Sequence, residues 1–169
     1  MYYGKYTLKQ EKMKLLFKQR LFSWFDSYDI YDEAGETVFT VKGRLSWGHC
    51  LEIYDRFGEH VGTVKEEVLT LLPRFALYQN GREIGEIQKK FTFFRPAFTL
   101  NCNDWSVEGD LFEWEYEVVD RQGRMIMQAS KQLFNLTDTY VIDITDPQDM
   151  LLSLMIVLAI DAAKCSQRD

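Results

Sequence analysis

Residues 150–160 read Met-Leu-Leu-Ser-Leu-Met-Ile-Val-Leu-Ala-Ile, eleven positions with one serine and no charge. Just upstream, Asp146 can cap a helix, Pro147 fits its first turn and Asp149 suits the positive end of its dipole. This predicts a helix over about residues 147–164 that is apolar on every side, and such a helix has to be surrounded. A bilayer or a protein core can do so, and length separates the two. A span needs about 20 apolar residues, whereas runs of about 10 to 14 read as core helices. Asp161 closes the run and Lys164, Gln167 and Arg168 follow, so the helix is expected inside the protein.

What can surround it is written upstream as a repeat. Tyr28-Asp-Ile-Tyr-Asp-Glu-Ala-Gly35, Leu51-Glu-Ile-Tyr-Asp-Arg-Phe-Gly58, Phe75-Ala-Leu-Tyr-Gln-Asn-Gly81 and Tyr116-Glu-Val-Val-Asp-Arg-Gln-Gly123 share one plan: an apolar strand, a polar turn, a glycine, a second apolar strand. Asp or Asn bonds the local backbone and the glycine takes the positive φ of a hairpin turn. Gly35, Gly58 and Gly81 are 23 residues apart, and the 42-residue step to Gly123 leaves room for a further strand pair. Residues 98–107, with a turn over 101–104, are expected to supply it. In Glu113-Trp-Glu-Tyr-Glu-Val the glutamates share one face and Trp114, Tyr116 and Val118 the other, the period of a half-buried strand.

The count comes to about twelve antiparallel strands with turns every 8 to 12 residues or so, and no strand-helix alternation precedes residue 145. Eight strands close a barrel that side chains fill, but about twelve leave a bore wide enough for a helix roughly 10 Å across. The expected fold is all-β: an antiparallel closed barrel of about twelve strands around a buried hydrophobic C-terminal helix. The 12 Phe, 9 Tyr and 4 Trp are expected to fill the space between barrel and helix. The 169 residues suit a single domain over 13–169 after a flexible extension over 1–12.

Charge narrows the partners. The 20 Lys and Arg against 26 Asp and Glu give −6, which argues against nucleic acid. Within that total, residues 1–20 carry six cations against Glu11, so a basic arm precedes an acidic body. Cys50, Cys102 and Cys165 are odd in number and match no zinc-ligand spacing. They read as reduced thiols in a cytosolic protein, the start of the chain lacking the apolar run of a signal peptide. Neither a metal nor a cofactor is expected.

Nor does a catalytic constellation stand out. Nucleophile elbow, phosphate loop, HExxH and dinucleotide fingerprint are absent from the sequence. His49 and Cys50 are adjacent in a strand, so they point to opposite faces. Glu66-Glu67 reads as a solvated strand face, and both histidines as strand or turn positions near the surface. With the bore filled by the chain's own helix, any site is expected on the exterior. The richest basic stretch beyond the N-terminus offers Arg74, Lys89, Lys90 and Arg95 as candidate ligands for an anion or a lipid head group. The run from Lys89 to Pro96, mixing cations with Phe91, Phe93 and Phe94, has the composition of a segment that dips into an interface.

The helix-in-barrel plan, together with Lys14-Leu-Leu-Phe-Lys-Gln-Arg-Leu-Phe, Tyr28-Asp-Ile-Tyr-Asp, Val41-Lys-Gly-Arg-Leu and the segment 146–163, resembles the LURP-one-related proteins of plants and their bacterial YxjI-type relatives. The likeness covers about residues 13–165 and is strongest over 14–55. It implies the tubby C-terminal fold, also proposed for phospholipid scramblases. Tubby domains bind phosphoinositide head groups on the barrel exterior. The resemblance therefore implies a non-enzymatic cytosolic domain that binds anionic phospholipid or a protein partner on its outer surface, peripheral at the inner membrane face. The alternative it raises is a scramblase-like, membrane-associated protein that translocates lipid, with residues 150–160 as a short span.

Overall fold

The computed structural model describes residues 12–18, 27–44, 46–92, 97–111, 113–134 and 137–165. Twelve strands form one antiparallel sheet: β1 (Met13–Lys18), β2 (Ser27–Tyr31), β3 (Thr37–Arg44), β4 (Cys50–Asp55), β5 (His60–Glu66), β6 (Arg74–Gln79), β7 (Arg82–Lys90), β8 (Ala97–Asn101), β9 (Ser106–Asp110), β10 (Glu115–Val119), β11 (Met125–Phe134) and β12 (Thr137–Ile144). A 3-10 turn, Pro147–Asp149, leads into the helix α1 (Met150–Cys165).

The glycine repeat corresponds to hairpin turns of one construction. Asp32, Asp55 and Asp120 each accept two backbone N–H groups on Oδ1, from the residues two and four positions on, at 2.8–2.9 Å. The aspartate carbonyl accepts the N–H of Gly35, Gly58 or Gly123. This is a type I turn closed by a left-handed residue, and Gly58, at φ +81°, shows why that residue is glycine. Asn80-Gly81 makes the shorter turn, with both residues at positive φ.

Sequence neighbours pair all the way from β1 to β8 and from β9 to β12, and β1 pairs with β12 from Met13↔Ile144 to Lys18↔Thr139. The barrel is nearly closed rather than closed. β8 and β9, expected as a hairpin, are joined by the Asn103-Asp104 turn but form no ladder with each other; β8 pairs with β7 and β9 with β10. A second thin place is β1–β2, which meet at the single pair Leu16↔Tyr31.

Because the chain runs up and down, its connections sort by end. The glycine turns and the start of α1 lie at one end, here the turn end. Residues 46–49, 67–73, 91–92 and 113–114, with the C-terminus of α1, lie at the other, the loop end.

The helix fills the bore. Asp146 caps its approach, Oδ1 accepting the Gln148 N–H at 3.0 Å. From Leu154 to Ile160 every side chain is buried. The helix touches β5, β6 and β7 on one wall and β11 and β12 on the opposite one. At Gly62 on β5 an added Cβ would sit 3.4 Å from Leu151 and from Met155, so the wall approaches the helix closely. Aliphatic side chains and rings share the filling, eight of the described aromatic residues from Phe17 to Tyr140 being buried. Among the largest fully buried side chains Phe75 is the single aromatic, beside Leu15, Ile30, Ile53, Leu77, Ile87, Met127, Ile142 and Ile144. Branched side chains fit the narrow space left by a helix, whereas several rings gather where the helix ends. Trp114 lies 3.9 Å from Tyr140 between ring centroids, and Phe17 stacks on Tyr140 at 5.2 Å.

Candidate functional site

The candidate cations of the sequence divide between two faces of the sheet. Arg74 opens β6 opposite Gln88, and its guanidinium lies 3.5 Å from Glu67 and 3.7 Å from Glu86. Lys90 is exposed on the outer face, whereas Lys89 follows Ile87 on the inward row and pairs with the buried Phe98. Burial pulls the Lys89 ammonium below its ordinary pKa. Arg95 lies outside the described residues, as do residues 1–11 of the expected extension.

More outward cations stand on the neighbouring strands. Arg44, Cys50 and Lys65 form one cross-strand row and Lys42, Glu52 and Thr63 the next. Arg44 Nε donates to Glu52 Oε2 at 2.8 Å and the Tyr54 hydroxyl donates to the same oxygen at 2.6 Å. Burial pushes the Glu52 carboxyl up, but the bonds from Tyr54 and Arg44 outweigh it and the pKa falls below the usual range. Lys42 Nζ sits 4.3 Å over the Tyr54 ring. Lys14, part of the expected basic arm, is instead a strand residue whose ammonium meets Glu33 at 2.8 Å.

Next to these cations, at the loop end, apolar side chains face water. Trp47 is 88% exposed and Phe91 74%, Leu69 and Leu71 fully, with Val68 partly so. They belong to three successive connections that lie side by side. A Cβ added at Gly48 would fall 2.8 Å from the Val68 side chain, and the Lys89 N–H donates to Pro73 O at 2.9 Å. Leu69 holds φ +68°, a conformation that costs a residue with a Cβ about 1–2 kcal/mol.

Glu66 ties the first two connections together, and is not the solvated carboxylate expected. Its Oε2 accepts the His49 N–H at 2.9 Å, the His49 ring lies 3.6 Å away, and the Glu66 N–H donates to His49 O at 2.7 Å. Its position opposite Phe75 sets it on the inward row at the barrel rim. His49 is accordingly half-buried, just ahead of β4.

Opposite β3 and β4 stand β9 and β10. Residues 97–120 contain Asp104, Glu108, Asp110, Glu113, Glu115, Glu117 and Asp120 and no lysine or arginine. At the turn end a polar cleft of about 380 Å³ lies between the 103–105 and 120–124 turns. Its cations are already matched, Arg121 to Asp104 at 2.9 Å and Arg124 to Asp120 at 2.6 Å. Inside the barrel, α1 ends on polar groups. Asp161 is buried near Tyr28 and Tyr116, and Lys164 Nζ lies 4.5 Å over the Trp114 ring. Trp114 has φ +60°, so β10 begins at Glu115 rather than at Glu113 as the alternation suggests.

Among the described residues no group of three or more His, Cys, Asp or Glu is placed to hold a metal ion. Burial pushes the Cys102 thiol up to about 12 and raises that of Cys50 as well, which keeps both protonated and poorly nucleophilic. No helix among the described residues is long and apolar enough to cross a membrane, and strands enclose the 150–160 segment that the lipid-translocating alternative would use as a span.

Sequence reading reached Phe91 through its mixed run but missed Trp47, Leu69 and Leu71. The signal was the phase of the repeat. Position 47 lies 23 residues before 70 and 46 before 93, midway between successive glycine turns, where a connection needs no apolar residue.

The pattern of the LURP-one-related family matches residues 13–161. A Bacillus subtilis (strain 168) relative, the uncharacterized protein YxjI, is 30% identical over 158 residues, covering 93% of this chain and 97% of its own. An Arabidopsis thaliana protein solved by X-ray crystallography superposes with a TM-score of 0.60 at 15% identity, over 90% of this chain and 93% of that one. With its twelve strands wrapped around one C-terminal helix, the chain belongs to the LURP-one-related family.

Proposed function

We propose that this protein is a non-enzymatic domain that binds anionic phospholipid head groups on the outside of its barrel, at the cytoplasmic face of a membrane. The observation that carries the reading is the segregation of charge. Carboxylates crowd β9 and β10 while Lys42, Arg44, Lys65 and Lys90 point outward from β3, β5 and β7. A chain of net −6 approaches an anionic surface only if its negative side is turned away, and this arrangement permits that. Lys89 lies at the rim of the same region, whereas Arg74 is offset there by Glu67 and Glu86. The well-protonated thiols and the carboxylates held in structural pairs support the absence of catalysis.

Co-sedimentation with vesicles of phosphatidylcholine alone, or with added phosphatidylserine or phosphoinositide, tests the reading. Binding should grow with anionic content and fall as salt rises. Arg44→Glu with Lys65→Glu should weaken it by at least about tenfold, each charge near the surface contributing about 1 kcal/mol. Absence of binding to every anionic vesicle at low salt would sink the proposal and leave a protein-interaction module.

A further inference from the structure

We infer that Trp47, Leu69, Leu71 and Phe91 form an insertion edge, so that the barrel docks on an anionic bilayer by its loop end with these side chains below the head groups. The inference rests on the head-group reading and adds to it the depth and orientation of docking. Four observations converge on it. Core packing does not account for these side chains, since water reaches most of the surface of Trp47, Leu69 and Leu71 and about three quarters of Phe91. They come from three connections that adjacent strands hold side by side, so they form one edge rather than scattered contacts. Isolated exposed apolar residues need no explanation, but a contiguous set rimmed by polar groups marks an interaction site.

The second pair of observations concerns how the edge is held and what lies behind it. Leu69 keeps its left-handed conformation while facing solvent, a strain that core packing does not explain. The Glu66 carboxylate and the His49 backbone clamp the bases of the Trp47 and Leu69 connections, which lowers the ordering cost of binding. Behind the tips come Lys65 and Lys90, exposed and directed outward, with Arg44 beside them paired to Glu52. Cations one row behind apolar and tryptophan tips match the layering of a membrane, with acyl chains beneath an anionic head-group plane. A protein partner offers no such layering, and the acidic sector on β9 and β10 disfavours approach by the opposite wall.

The test compares the wild type with a Leu69→Asn, Leu71→Ser double variant on phosphatidylcholine vesicles containing phosphatidylserine. Asparagine tolerates the left-handed conformation and both positions are exposed, so the variant should melt like the wild type. Its vesicle partitioning should fall at least about tenfold, the scale of removing two buried leucines. Independently, tryptophan emission should shift to the blue on binding and be quenched by lipids brominated on the acyl chain. In a Trp24→Phe background, which removes the one other tryptophan not placed in the core, Trp47→Phe should abolish both changes, since Trp105 and Trp114 are buried. Undiminished binding of the double variant, with no Trp47-dependent quenching, would overturn insertion and leave the head-group reading standing. Failure of the wild type to bind any anionic vesicle would overturn that reading and insertion with it. A stable lipid-free dimer that the double variant dissociates would overturn insertion by assigning the edge to a second copy of the chain.

Discussion

A single aspartate in each hairpin does more than decorate a turn. Asp32, Asp55 and Asp120 sit where the strand ends, and one carboxylate oxygen satisfies two N–H groups that the ladder leaves open. That reciprocal need is why the Asp-x-x-Gly signature repeats, and why it was legible in the sequence. Tyr116, which is buried, and Tyr28, half-buried with its hydroxyl enclosed, are a different matter, because nothing local marks them as neighbours of Asp161. Burial first, and then the Asp161 charge, raise both phenols well above their usual range. An unfolded tyrosine ionises near pH 10, so these two favour the native state fully below about pH 10 and progressively less above it, as the unfolded chain loses protons that the folded one keeps. Spectrophotometric titration should show tyrosines that ionise only as the protein unfolds in alkali. Smooth ionisation of every tyrosine near pH 10 in the folded protein would contradict their burial.

At the scale of the element, the helix decides the fold. Its apolar circumference demands enclosure, and a barrel of twelve strands supplies it. Leu154→Ala should cost about 2–5 kcal/mol out of a total near 5–15, read as a lower midpoint in urea. Leu154→Asp or Ile156→Asp should abolish soluble folding, because a lone charge in that bore has no partner. A native-like melt of either Asp variant would place the helix outside the core. The seams teach the opposite lesson. A sequence-local turn at Asn103-Asp104 looks like a hairpin, yet β8 and β9 take other partners. The β1–β12 ladder joins segments more than a hundred residues apart. Turn chemistry specifies that a chain reverses, and says less about whether the reversing strands stay paired.

Across the whole molecule, charge and apolar exposure are both polarised. The carboxylates of β9 and β10 lie opposite the cations of β3 and β5, and Trp47, Leu69, Leu71 and Phe91 are exposed together at the loop end, with Phe57 exposed by itself in the Gly58 turn at the other. If docking uses that end, Glu115→Lys with Glu117→Lys should leave vesicle binding nearly unchanged at 0.1 M salt, since charges beyond about 10 Å are screened there. A several-fold rise in co-sedimentation would show that the acidic wall also meets the membrane. The legible part of the candidate site was its composition, cations near Phe91. Its assembly was not, because Lys89 and Lys90 part to opposite faces and Arg74 is taken by Glu67 and Glu86.

By itself the sequence determined the strand number, the turns and the buried helix, because each follows from a period, a spacing or a run of residues that acts over a few positions. Only the tertiary structure decided where the barrel stays open, that Glu66 is a clamp, and that Trp47, Leu69, Leu71 and Phe91 share one edge. Those facts depend on which distant segments come side by side. That juxtaposition is set by closing a long meander around a helix, and no local pattern encodes it.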